Sequence, residues 1–206
     1  MTALLPPPGT RVEESAEPSD STVIAQSRDD PERFSVIFDR YFTEIHRYIA
    51  SRLGHGPADD VAAETFLAAF AQRDRYDAAQ PRARAWLYGI ATNLVRRHRR
   101  SEARAYRALA RAPADAESGG YADQVADLVA DKVSAQQMRP RLAAALAGLP
   151  IGDRDVLLLV ACGELSYEEV ALALDIPTET VGSRLNRARR HLRQTIGATT
   201  GPEESE

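Results

Sequence analysis

Large apolar residues recur at steps of three and four along two stretches of this chain, and nowhere do they alternate regularly with polar ones. The first stretch reads Phe34, Ile37, Phe38, Tyr41, Ile45, Tyr48, Ile49 and Leu53. That period belongs to a helix with one buried face. Strand alternation and hairpin turns are missing, which excludes a sheet-based core. The expected fold is all-α: two small helical domains joined by a flexible linker.

Residues 1–30 are rich in Pro, Ser, Glu and Asp without apolar period and read as a disordered extension. The first helical block spans 31–111. Asp30-Pro31 opens it, an acid as cap and a proline in the first turn. Gly54-His55-Gly56-Pro57 breaks the first helix, and Pro57 can open a second. That helix turns Val61, Thr65, Phe66, Ala69 and Phe70 inward and carries Asp59, Asp60 and Glu64 on another face. A polar loop, 73–80, follows. Pro81 opens a third helix through Trp86, Ile90 and Leu94 that ends in a run of arginines. Residues 112–133, with Pro113, Gly119-Gly120 and scattered acids, read as the linker. The second block spans 134–197, and 198–206 is an acidic disordered tail.

Charge follows this division. Residues 34–111 carry fourteen arginines against eight acids, whereas 112–133 carry one lysine against five. Basic helical segments thus lie between acidic flexible ones, and the net charge of −4 conceals it. Arginine suits bidentate phosphate and base contacts, although GC-rich codon usage explains its dominance equally well. No apolar run approaches the ~20 residues of a membrane span, and the N-terminus has no basic-then-apolar secretion pattern. The single cysteine, Cys162, lies in an apolar stretch and reads as a core thiol in a reducing, cytoplasmic setting. His46, His55, His98 and His191 are dispersed without metal-ligand spacing, and no phosphate loop or nucleophile–base pattern is present. Neither a cofactor, nor a metal, nor an enzyme is expected.

In the second block, Leu142, Ala145, Leu146 and Leu149 suggest one helix, and 153–162 another with Val156, Leu157 and Val160 inward. The segment LSYEEVALALDIPTETVGSRLNRARRHLRQ has the pattern of a helix-turn-helix. Ser166 with Glu169 forms a capping box. Ala171 is small enough for a helix crossing, and Asp175 tolerates left-handed backbone at the turn. Val181, Leu185, Ala188 and Leu192 make a buried stripe. Thr178, Glu179, Thr180, Ser183, Arg184 and Arg187 lie opposite, where a recognition helix meets base edges. Arg189, Arg190 and Arg193 are placed for phosphates. A plain helical hairpin with a solvated arginine face fits the same pattern.

Three motifs in order resemble one family. DDVAAETFLAAF resembles the acidic helix, ARAWLYGIATNLVRRHRR the Trp/Asn helix and TVGSRLNRARRHLR the recognition helix of bacterial RNA polymerase sigma factors. Two helical domains with only a linker between them resemble the extracytoplasmic-function group. The resemblance covers roughly 32–105 and 138–196. It implies a non-catalytic subunit that directs core polymerase to promoters. Asp59, Asp60 and Glu64, with Phe66 and Leu67, would dock on the coiled coil of the largest polymerase subunit, alongside flap-type contacts. A solvated acidic helix start is the plainer reading of those residues. Tyr76 and Asn93 occupy positions that the family uses around a flipped −10 base, and Arg96, Arg97, Arg99 and Arg100 would track phosphates. Tyr88 and His98 are further exposed candidates, while Trp86 fits the core better. Thr178, Glu179, Thr180, Ser183, Arg184, Arg187 and Arg190 would read the −35 element. Promoter DNA and an anti-sigma factor are the other implied partners.

Two positions depart from the family pattern. Gly182 precedes the Ser-Arg-Leu where many members have a basic residue, and Gly89 stands where some have one facing the −10 strand. The competing reading is a helix-turn-helix regulator whose first block dimerises or senses. The acidic tail and linker could also screen the arginine faces.

Overall fold

The computed structural model describes residues 17–78, 82–109 and 142–197, and among them there are helices and no strand. In chain order these are α1 (Asp20–Gln26), α2 (Ser35–Leu53), α3 (His55–Gln72), α4 (Ala83–Leu109), α5 (142–148), α6 (Ile151–Ala161), α7 (Tyr167–Leu174) and α8 (Thr178–Gly197). Short 3-10 turns at Pro31–Phe34 and Arg73–Arg75 precede α2 and follow α3. The expected linker and acidic tail lie outside the described residues.

α2, α3 and α4 pack as a three-helix unit because each buries its apolar stripe against the other two. Ile37, Ile45, Tyr48, Ile49, Val61, Leu87 and Val95 fill its centre. Gly54 makes the α2–α3 corner. Its φ of 81° is open to glycine and strained for other residues, and its N–H closes α2 on Ala50 O at 2.8 Å.

The expectation of disorder over 1–30 is corrected for residues 17–30. Ser19 caps α1 by accepting from the Thr22 N–H at 3.2 Å. Val23 and Ile24 are buried in the core of the first block. Asp20 accepts hydrogen bonds from Arg40 at 2.7 Å and from the Tyr41 hydroxyl. A seven-residue helix with two buried residues is too short to display a period, so composition alone misreads it. Residues 1–16 lie outside the described residues.

The second block forms as its local signals require. The Ser166 N–H donates to Glu169 Oε2 at 2.8 Å and the Glu169 N–H to Ser166 Oγ at 3.3 Å. Asp175 is left-handed, with φ 51° and ψ 54°. The Ile176 N–H returns to Ala171 O at 3.0 Å, closing the turn. Val181, Leu185 and Ala188 are buried along α8, and Leu146 and Leu149 of the α5 segment pack on Ala188.

The two blocks are joined by more than a tether. One apolar core runs from α2–α4 into α6–α8, and α4 lies along α7. α6 sits between α8 and the first block, so Leu158 and Leu159 are buried together with Val156. The expected inward stripe of Val156, Leu157 and Val160 is only one side of that helix.

Ile24→Ala is expected to cost about 2–5 kcal/mol, read as a lower urea midpoint of the whole protein. A change under about 0.5 kcal/mol, as at an ordinary surface site, would contradict the docking of α1.

Candidate nucleic-acid interface and docking surface

α8 presents a polar face opposite its buried stripe. Thr178, Glu179, Ser183, Arg187 and Arg190 are exposed there, and Thr180 and Arg184 are half-buried. Asp153, itself buried, fixes Arg187 through two hydrogen bonds of 2.9 Å. The bond and the adjacent negative charge raise the pKa of Arg187 further. Bidentate pairing removes rotamer freedom from that guanidinium. Arg184 lies over Gly152, where a Cβ would come within 2.7 Å of its Nη1. Gly182 has open space: a Cβ there would meet nothing within 4 Å, so packing does not demand that glycine.

The second cluster lies on α4. Asn93, Arg97 and Arg100 are exposed. Arg97 pairs with Glu64 of α3. Arg96 turns the other way and donates through Nε to Asp155 Oδ2 at 2.7 Å. Two of the expected contacts are corrected for exposure. Tyr76 is buried, its ring 5.1 Å from that of Trp86. Tyr88 is fully buried, edge-on to Tyr48 at 5.1 Å. Gly163 of the second block lies against the Tyr88 ring, so the expected exposure is lost. His98 is half-buried, and Trp86 packs with the core as its spacing suggested.

A clasp holds the loop that carries Tyr76. Arg28, just beyond α1, donates through Nη2 to the carbonyls of Arg73, Asp74 and Tyr76 at 3.2–3.4 Å. Arg73 answers with Nε to Ser27 O at 3.1 Å and Nη1 to Phe70 O at 2.8 Å, its guanidinium 4.0 Å from the Phe70 ring centre. The loop's carbonyls thereby find donors without a helix or sheet to supply them.

Between the blocks sits a buried ionic cluster. Arg52 donates to Asp155 Oδ1 at 2.5 Å and to the Tyr48 hydroxyl at 2.8 Å, and that hydroxyl lies 2.8 Å from Thr92 Oγ1. Arg52 is 2% exposed and Asp155 0%. Burial opposes the Arg52 charge, but Tyr48 and Asp155 outweigh it and raise its pKa. At the other end of the seam Arg84 donates to Gly163 O at 2.6 Å and Glu164 O at 3.3 Å, and pairs with Glu44. Cys162 is half-buried nearby; burial pushes its thiol pKa up despite Ser51 and Arg52, which suits a core thiol.

The acidic face of α3 is exposed at Asp59, Asp60 and Glu64. Asp59 lies 2.8 Å from His46 Nε2. The expected apolar contact pair splits: Leu67 is 69% exposed, whereas Phe66 is buried at 5%. Phe38 is the residue that sequence reading missed. It is partly exposed, stacked on Phe42 at 4.7 Å and edge-on to Phe66 at 5.0 Å. It lies in the helical stripe of α2 and could not be told from core by period.

Residues 37–105 match the Sigma-70 region 2 family and residues 139–192 the Sigma-70 region 4 family. The chain is 31% identical over 177 residues to the ECF RNA polymerase sigma factor SigW of Bacillus subtilis, covering 81% of this chain and 90% of SigW. The chain belongs to the sigma-70 family of RNA polymerase sigma factors, in its extracytoplasmic-function group. It is also 32% identical to the sigma factor CnrH of Cupriavidus metallidurans, over 68% of this chain and 73% of CnrH. The structure of CnrH with the cytosolic domain of CnrY shares the fold at a TM-score of 0.61 and 24% identity, covering 88% of this chain and 99% of that one. The sigma factor RpoE of Bartonella quintana, in complex with the anti-sigma factor NepR, superposes at 0.58 with 21% identity, over 80% and 96% of the two chains. This sigma factor therefore acts in promoter-directed transcription initiation. Its α1 and the Arg28 clasp precede the region 2 match. No helix among the described residues is long and apolar enough to cross a membrane.

Arg28→Ala is expected to loosen the loop by about 1 kcal/mol, so that amides of residues 73–78 exchange roughly fivefold faster at little cost to global stability. Unchanged protection would mean that the clasp carries no weight.

Proposed function

We propose that this sigma factor reads the −35 element through α8 and captures the −10 strand with α4 and its preceding loop. The observation that carries the reading is the division of α8. One side is locked into the core by Val181, Leu185 and Ala188, and the other offers Thr178, Glu179, Ser183, Arg184 and Arg187. A helix held rigidly on one side can place its free side in a major groove with fixed register. Arg190, Arg189 and Arg193 then meet phosphates, which position without specifying sequence.

On α4, Asn93 is the exposed group with both donor and acceptor for a base edge. Arg97 and Arg100 follow the strand. Tyr76 acts from within the core, through its packing on Trp86, as a wall of the loop and not as a free stacking ring. Core polymerase is held by Asp59, Asp60 and Glu64, with Leu67 and Phe38 as the apolar part of that contact. Phe66 supports Phe38 from beneath. The protein works in the cytoplasm as a polymerase subunit without catalytic chemistry of its own, and an anti-sigma factor holds it between uses. The complex of the Bartonella quintana relative with the anti-sigma factor NepR supports that last role.

The test is in vitro transcription with core polymerase on a promoter library. Start sites that depend on this protein should share −35 and −10 elements. Arg184→Ala should relax one −35 base pair by about 1–3 kcal/mol. Asn93→Ala should leave −35 binding intact and impair strand opening. Equal loss at both elements from either substitution would overturn the division of labour.

A further inference from the structure

We infer that Asp153 is a positioning residue for promoter reading: it grips Arg187 by one edge of the guanidinium and presents the other edge to a guanine of the −35 element. The inference rests on the −35 reading of α8 above. It adds the residue that aims the arginine and the base at which it is aimed.

The chemistry lies in which nitrogens are engaged. Arg187 donates to the Asp153 carboxylate from Nε at 2.9 Å and from Nη2 at 2.9 Å, which is the side edge of the planar fork. Asp153 leaves Nη1 and the outer N–H of Nη2, the end edge. Those N–H groups run parallel and meet O6 and N7 of guanine together. No other base presents two acceptors side by side in the major groove. The Arg187 side chain is 56% exposed and that of Asp153 7%, so the acid lies beneath and the arginine keeps an open side.

The mount is rigid. Asp153 sits in the first turn of α6, where its N–H donates to Pro150 O at 3.0 Å and a carboxylate suits the positive end of the helix. One turn on, Leu157 packs on the cluster of Leu146, Leu149 and Ala188, and Ala188 follows Arg187 on α8. The packing of α6 along α8 therefore sets the apolar register and the ion pair together. An unpaired arginine samples many rotamers and must give them up when it meets a base. Arg187 has given them up before DNA arrives, which favours the one contact its free edge fits. Arg184, one turn earlier, has a different seat: it lies over Gly152.

The acid also keeps Arg187 from the DNA backbone. A guanidinium already paired with a carboxylate is a poorer ligand for phosphate, and phosphate contacts carry no sequence information. Removing Asp153 should therefore convert a base-reading arginine into a general one.

The test uses core polymerase with the full chain on the promoter library, read as base preference at each −35 position. Arg187→Ala identifies the position that Arg187 faces, and the unaltered protein should prefer guanine there. Asp153→Ala and Asp153→Asn should each reduce that preference about tenfold, within the range of one bidentate pair, with the other −35 positions and the −10 element unaffected. Asp153→Ala added to Arg187→Ala should change nothing more, because the acid acts only through the arginine. Binding of the full chain to a duplex of unrelated sequence should hold or tighten, and its salt dependence should steepen by about one ion. A cooperative melt confirms the fold of each variant, and Asp153→Asn keeps the side-chain shape where Asp153→Ala proves unstable.

Full guanine preference in the folded Asp153 variants overturns the positioning role and leaves the −35 reading standing. A uniform loss at every position marks a structural role and overturns it too. A base other than guanine opposite Arg187 overturns the end-edge geometry. Unaltered preferences in Arg187→Ala alone overturn the inference, whereas unaltered preferences in both Arg187→Ala and Arg184→Ala overturn the reading of α8 itself.

Discussion

Asp155 is the group on which the arrangement of this sigma factor turns. Its two oxygens take one arginine each from the first domain, Arg52 from α2 and Arg96 from α4. A carboxylate buried this deeply is tolerated only because both oxygens are paired. The pairing fixes where α6 meets α2 and α4, and the close passage of α7 over Gly89 follows from the same register. Tyr48 and Thr92 extend the network into the first domain, so its centre is polar at one end and apolar at the other.

That network ties architecture to function through Arg96. The same residue belongs by position to the arginine run of α4 and by contact to the domain interface. Arg187 shows a milder form of the same economy, held by Asp153 on α6 yet exposed on its outer side. Two acids two residues apart on one helix thus address arginines of α8 and of α4. Asp153 orients its arginine within its own domain; Asp155 binds across the seam.

Much of this protein was legible residue by residue. The capping box at Ser166, the left-handed Asp175 and the α8 stripe are local features, and each appears in the structure where its pattern demanded. The exposed residues of α8, Asn93 on α4 and the acids of α3 were found for the same reason: a helix whose buried stripe is known has its exposed face defined. The misreadings share a cause too. Tyr76 and Tyr88 are aromatic, and an aromatic residue fits a core and a ligand face equally well. α1 escaped because two buried residues make no period.

The amino-acid order by itself determined the helices, their caps, the helix-turn-helix and the polar faces of α3 and α8, because those depend on neighbours within a few residues. Only the tertiary structure decided which of those faces is occupied by the protein itself. Arg52 and Asp155 stand 103 residues apart, and no local pattern marks either as the other's partner. The need to neutralise buried charge is a property of the folded environment. That environment also turned Gly89 from a missing contact into a point of closest approach.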